Sequence, residues 1–353
     1  MIKKIIYWVC YAIFLISITV ISLELLTLKF IPDLRGWHEF MVDPDHRMQP
    51  NEKKDINDDG IRSYKNHEEY HHEDFNVIFL GDSFTYAMGL SSEESIPSQF
   101  ETIAKKKLGV NNINAINFGW VSSSPLLSYR LLKDIGKKYK PDLIILILDM
   151  SDFYDDILYQ NIMDQKRLFF VAKYLPSTTA YLHYIVRYHL KSDKISNFLS
   201  GLPVQRYFVT EYSPEKTLSA MENTKFILQK INRYAEEELG ADFVNVVMPR
   251  YFQYNPLESP DDWSYNLLKQ PAKIPPDFPD APFNYFKQQK NVLGFPSISL
   301  LEDFKSTKIF PTTLKNDPHL NPNGCKLAAE AIFNHCSVLD CFKSVSNNLP
   351  ESE

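Results

Sequence analysis

The stretch Phe75-Asn76-Val77-Ile78-Phe79-Leu80-Gly81-Asp82-Ser83-Phe84-Thr85-Tyr86 decides how the rest of the chain is read. Its first six residues form an apolar run of the kind that makes a parallel strand buried on both faces. A Gly-Asp-Ser turn directly after it leaves one hydroxyl at the carboxyl end of a central strand. Ligands of open α/β sheets collect at that edge. Ser83 is therefore a candidate nucleophile, and a serine in that role needs a base and oxyanion donors from elsewhere in the chain. Taken alone, the tripeptide is ordinary turn chemistry, with Ser83 also suited to cap a helix.

Outward from this stretch the pattern alternates. Strand 75–80 is followed by a helix over 94–107, with Pro97 in its first turn, and by a second strand over 113–118 that ends in Gly119. Leu126 to Tyr139 reads as a helix with Leu127, Leu131, Leu132 and Ile135 on one face. Pro141 breaks the chain before Leu143-Ile144-Ile145-Leu146-Ile147-Leu148, the most apolar strand. A helix over about 217–239, a strand from Phe243 to Met248 and a helix from Lys326 to His335 complete the order. This succession predicts an α/β fold of three layers, with a mostly parallel central sheet covered by helices on both faces. Residues 155–215, with His183 and His189, and 251–300, with Trp263, read as insertions beside the strand ends. Their aromatic side chains suit either stacking on sugar rings or packing of an irregular excursion.

Composition bounds the function. Of 353 residues, 44% are hydrophobic and 23% charged, which argues for a folded chain. A net charge of −6 supplies no basic field, so nucleic acid is not an expected partner. Behind Lys3 and Lys4, the run from Ile5 to Leu23 carries no formal charge and is followed by Glu24. Such a run spans a bilayer core of about 30 Å as a helix. Without an Ala-x-Ala cleavage site behind it, residues 1–30 read as an uncleaved anchor. The two lysines place later residues outside the inner membrane. Residues 31–74 read as a stalk or cap. Within it, Asp55-Ile56-Asn57-Asp58-Asp59-Gly60 reads as a turn-rich surface segment that opens like a calcium loop but has Asn66 where the glutamate belongs. Cys336 and Cys341 are close enough to bridge in an oxidising compartment, with Cys325 an alternative partner for either. The cysteine spacings match no zinc site, and no cofactor is implied.

Three more segments fall where strands or loops meet the sheet edge. Asn117-Phe118-Gly119-Trp120 follows the second strand, and a glycine there lets its N–H approach an oxyanion. Asp149-Met150-Ser151-Asp152-Phe153 follows the third strand. Asn316-Asp317-Pro318-His319-Leu320-Asn321-Pro322-Asn323-Gly324 precedes the last helix.

Together these motifs resemble the SGNH (GDSL-type) hydrolase superfamily, in order, over about 75–153 and 309–335. Gly81-Asp82-Ser83 matches the first block and Gly119 the glycine of the second. Asp317-Pro318-His319 matches the block that supplies acid and base. The resemblance implies a flavodoxin-like three-layer domain over 75–345, in a membrane-anchored bacterial member similar to exopolysaccharide O-acetyl esterases and acetyltransferases. It implies Ser83 as nucleophile, His319 as base, Asp317 as acid, and Ser83, Gly119 and Ser151 as the oxyanion hole. The third block of the family usually reads Gly-x-Asn-Asp, so Ser151 stands where a carboxamide donor is expected. Many members also place the aspartate three residues before the histidine. Here Asp317 is two before His319 and Asn316 holds the third position, as the fallback.

The expected activity is cleavage of an acyl ester, an O-acetyl group above all, on a cell-surface carbohydrate. Transfer of the acyl group to a sugar hydroxyl would use the same triad, alongside other proteins of polysaccharide modification. A third reading is an inactive glycan-binding scaffold.

Overall fold

In the computed structural model the described residues are 2–30, 48, 55–164, 175, 177–178, 214–255, 258 and 280–343. The chain divides into two compact units, Met1–Asp45 with Leu158–Arg206, and His46–Ile157 with Tyr207–Glu353. The first contains helix α1 (Ile2–Phe30). Its stretch Lys3–Leu26, 24 residues, is long and apolar enough to cross a membrane, and side chains such as Ile5, Trp8, Phe14 and Ile21 are exposed. In the same unit, Glu24 accepts the backbone N–H groups of Ser177 and Thr178 at 2.9 and 2.7 Å.

The second unit is built on a sheet. In chain order it runs β1 (Phe75–Leu80), α2 (Ser83–Tyr86), α3 (Ile96–Leu108), β2 (Ile113–Asn117), α4 (Pro125–Ile135), β3 (Leu143–Leu148) and the start of α5 (Asp152–Asp164), whose residues from Leu158 on are counted with the first unit. It continues with α6 (Pro214–Tyr234), β4 (Asp242–Val247), α7 (Tyr251–Tyr254), α8 (Ala281–Gln289), β5 (Ser297–Ser299), α9 (Leu301–Ser306) and α10 (Pro322–Val338). The strands lie in the order β2-β1-β3-β4-β5 and all pair in parallel. The chain passes from β1 to one side and then returns to the other, so the switch of direction falls at the carboxyl end of β1, where Ser83 stands.

Strand periodicity explains the layers. Leu143, Ile145 and Ile147 of β3 join Val77 and Phe79 in a core with Phe100 and Ala104 of α3 and Ala328, Ile332 and Phe333 of α10. The alternate residues Ile144, Leu146 and Leu148 join Ile78 and Leu80 with Leu131 and Leu132 of α4 and Leu228 and Ile231 of α6. Every residue of β1 and β3 is buried. Each such Leu or Ile contributes about 1.5–3 kcal/mol, so a polar residue in its place is costly.

Several features differ from expectation. The helix expected over 126–139 ends at Ile135 and continues as a 3₁₀ turn, Gly136–Tyr139. β5 lies within 251–300, and at three residues it is too short to show alternation. The segment from Asp55 is not a surface turn: Asp55, Asn57, Asp59 and Ile61 are buried. Its polar groups find protein partners, Asp59 meeting Lys138 at 2.6 Å, the Tyr139 hydroxyl at 3.0 Å and His67 at 2.7 Å. Asn57 donates to the Tyr139 hydroxyl at 2.8 Å. Cys325, Cys336 and Cys341 are free, buried thiols. Trp263, His183 and His189 lie outside the described residues.

Candidate active site

The turn after β1 is shaped by sterics. Gly81 has φ +152, and a Cβ on it would meet Thr85 Oγ1 at 2.2 Å and the Ile147 carbonyl oxygen at 2.9 Å. Only glycine fits there. Asp82 then caps α2, its Oδ1 accepting the Phe84 N–H at 2.9 Å. Ser83 is the first residue of that single helical turn.

The base arrives from a loop pinned by its own backbone. Leu314 donates to the His319 carbonyl and Asn321 to the Thr312 carbonyl, both at 2.9 Å. Between these ties Asn316 takes a left-handed φ of 58°, which asparagine tolerates better than most residues. Asp317 Oδ1 then accepts both the backbone N–H of His319 at 2.8 Å and its Nδ1–H at 2.5 Å. That double contact explains how an aspartate only two residues away reaches the ring. The other ring nitrogen, Nε2, lies 2.8 Å from Ser83 Oγ. The imidazole rests on the Phe84 ring, centroids 5.0 Å apart. The structure thus brings together Ser83, His319 and Asp317, with Asp317 rather than Asn316 on Nδ1.

The other two sequence-assigned donors are engaged elsewhere. The Gly119 N–H donates to Asn117 Oδ1 at 2.9 Å. A glycine is required at 119 for a different reason: a Cβ would stand 2.3 Å from the Tyr86 nitrogen, against the turn that carries the nucleophile. The Ser151 hydroxyl donates to Asp149 Oδ2 at 2.9 Å, as does its N–H.

Asp149 belongs to a buried ionic group that the sequence motifs did not flag. Arg250, just past β4, grips it with Nε at 2.8 Å and Nη2 at 2.5 Å, a bidentate geometry. Its guanidinium also lies 5.3 Å from the Phe84 ring centroid. Burial opposes the charge of Asp149, but the Arg250 guanidinium and the Ser151 donors hold its carboxyl below the usual range. Burial first, then the neighbouring Asp149 charge, pushes Asp82 well above that range. Burial first, then Asp82 and Asp149, does the same to Asp152. One guanidinium among several carboxyls therefore favours the charge on Asp149 and disfavours it on Asp82 and Asp152. The signal was present as acidic and basic residues at neighbouring strand ends, but their partnership needs the sheet order.

No protein-family model and no curated protein matches the chain. Solved structures overlap it only loosely. A two-domain esterase active on acetylated mannans shares 12% identity over 75% of this chain, at a TM-score of 0.41. The chain covers 49% of that esterase's length. An acetyl xylan esterase shares 13% identity over 74% of this chain and 99% of its own, at 0.40. A psychrotrophic esterase from Pseudoalteromonas shares 14% identity over 78% of this chain and 100% of its own, at 0.38. Overlap at this level carries no weight beside the hydrogen-bonded geometry of Ser83, His319 and Asp317.

Proposed function

We propose that this chain is a serine esterase of the SGNH hydrolase type that cleaves an acyl ester through an acyl-Ser83 intermediate. The observation that supports it is the continuous chain of hydrogen bonds from Ser83 Oγ through His319 to Asp317. A serine hydroxyl becomes a nucleophile when a base removes its proton, and an imidazole backed by a carboxylate does this while keeping its tautomer. In the first half-reaction Ser83 Oγ bonds to the ester carbonyl carbon and His319 takes its proton. His319 returns that proton to the departing alcohol as the old C–O bond breaks. In the second, His319 takes a proton from water as the water oxygen bonds to the acyl carbon, and returns that proton to Ser83 Oγ as the acyl–Oγ bond breaks and a carboxylic acid leaves. The Ser83 N–H is the assigned oxyanion donor. Gly119 and Ser151 join it only after releasing Asn117 and Asp149, a tightening that substrate often brings about.

The substrate we assign is an O-acetyl ester on a cell-surface carbohydrate. Anchored by α1 behind Lys3 and Lys4, the catalytic unit would sit on the outer side of the inner membrane, where that class of ester is met. The test uses the full chain in detergent with p-nitrophenyl acetate and an O-acetylated oligosaccharide, wild type against Ser83→Ala. Acetate release that needs Ser83 is expected. Acetyl transfer to an acceptor sugar in excess of release to water would instead make it an O-acetyltransferase. Neither release nor labelling by a fluorophosphonate would leave a glycan-binding scaffold.

A further inference from the structure

The geometry points to Arg62 as a positioning residue for the nucleophile, an assignment that rests on the acyl-Ser83 reading above. α2 is one turn long, so the carbonyls at its carboxyl end have no helical partners of their own. Side chains from outside the turn take their place. Arg62 Nη1 donates to the Tyr86 carbonyl and, at 2.9 Å, to that of Ala87, while Nη2 donates to the Leu90 carbonyl at 2.7 Å. Asn117 Nδ2 donates to the Thr85 carbonyl at 2.9 Å. The guanidinium also lies over the Tyr86 ring, 4.3 Å from its centroid.

This grip matters because of how the chain leaves α2. Ala87 has φ 65° and ψ 61°, in the left-handed region. A residue with a side chain holds that conformation only where its surroundings over-determine it. Arg62 supplies two of the contacts that do so, to Ala87 itself and to Tyr86 before it.

Arg62 is in turn held by contacts independent of the turn. Its N–H donates to the Asn117 carbonyl at 3.2 Å, in an antiparallel bridge at the outer edge of β2. Ile61 beside it is buried in the core, and the Asp55 carboxylate lies 3.6 Å from the guanidinium. The segment before β1 is thus part of the mounting of Ser83. A planar fork that serves three carbonyls and stacks on a ring is not replaced by the point charge of lysine. Misplacing a reacting group by about 1 Å costs on the order of 10²-fold in rate.

The test compares full-length wild type, Arg62→Ala and Arg62→Lys. It reads the rate of Ser83 labelling by a fluorophosphonate, kcat and KM for p-nitrophenyl acetate, and amide hydrogen exchange over 83–90. In Arg62→Ala, labelling and kcat should fall by about 10²-fold with KM little changed, exchange over 83–90 should quicken, and added guanidinium ion should restore part of the rate. Arg62→Lys should lie between, and it decides the matter on the same readings if Arg62→Ala does not fold. Labelling, kcat and exchange at wild-type levels would overturn the assignment, as would a loss that appears in KM and is not rescued by guanidinium. Failure of the esterase reading is seen separately, as wild-type protein that does not label at Ser83, while exchange over 83–90 still reports the grip.

Discussion

His319 Nε2 stands 2.8 Å from Ser83 Oγ across 236 residues of sequence. The sheet accomplishes this by setting Ser83 at the end of β1 while a stapled loop before α10 returns to the same edge. Phe84, next to the nucleophile, gives the imidazole a flat surface to rest on. One helical turn therefore carries both the nucleophile and the seat of its base.

Replacing triad members should have unequal effects. Ser83→Ala should abolish fluorophosphonate labelling. Asp317→Asn should slow turnover by less than the roughly 10⁴-fold seen for a buried triad aspartate, because the Asp317 side chain is 45% exposed and water can screen the imidazolium in its place. Steady-state turnover of p-nitrophenyl acetate by the two variants measures this. A loss equal to that of Ser83→Ala would contradict it.

Ser151→Ala separates two roles for one hydroxyl. A direct oxyanion donor is worth about 10²–10³-fold in turnover. With its proton donated to Asp149, the Ser151 hydroxyl should be worth clearly less. Turnover of p-nitrophenyl acetate by this variant decides between them. A loss as large as that of a direct donor would show that the hydroxyl turns to the oxyanion when substrate binds.

The Asp149–Arg250 pair should be costly to break. Both side chains are almost wholly buried, so Arg250→Met leaves an unpaired carboxylate and should destabilise the sheet unit by about 3–5 kcal/mol. Urea unfolding reads the change. The double variant Arg250→Met/Asp149→Leu should recover much of it, since no charge is then stranded.

Asp156 predicts an unusual pH slope. Burial raises its pKa from 3.8 to about 7, although it accepts the Leu126 N–H and the Thr224 hydroxyl, each at 2.8 Å. Between those two values the folded protein binds more protons than the unfolded one, so stability falls as pH rises and the loss is complete above pH 7. The shift corresponds to at most about 4 kcal/mol. Asp156→Asn keeps an acceptor but removes the titration, so unfolding measured from pH 5 to pH 8 should show a shallower decline. An unchanged slope would show that Asp156 does not set the decline.

Gly119→Ala should displace the nucleophile turn. A Cβ there lies 2.3 Å from the Tyr86 nitrogen and 2.7 Å from the Thr85 carbonyl carbon, backbone atoms that cannot swing aside. Lower thermal stability together with slower Ser83 labelling is expected, and a variant of wild-type stability would refute the steric account.

Much of the architecture was legible because burial writes itself into local pattern. Six consecutive apolar residues at 143–148, and a nearly unbroken run at 75–80, fit strands covered on both faces, and helices with one apolar stripe must cover them. Legibility failed where pattern is short or polar. β5 is three residues long, and Asp55, Asn57 and Asp59 look solvated until Lys138, Tyr139 and His67 are placed beside them.

The same division holds at the site. Sequence alone determined which residues have the chemistry: a serine after a strand, an Asp-Pro-His loop and glycines where backbone must pass close. Donor commitments were decided by tertiary structure alone. The Gly119 N–H faces Asn117, the Ser151 hydroxyl faces Asp149, and Arg62 and Arg250 reach the nucleophile's surroundings from distant parts of the unit's sequence. Hydrogen bonds depend on distances of a few tenths of an ångström and on direction, and neither is encoded until the sheet has brought its strand ends together.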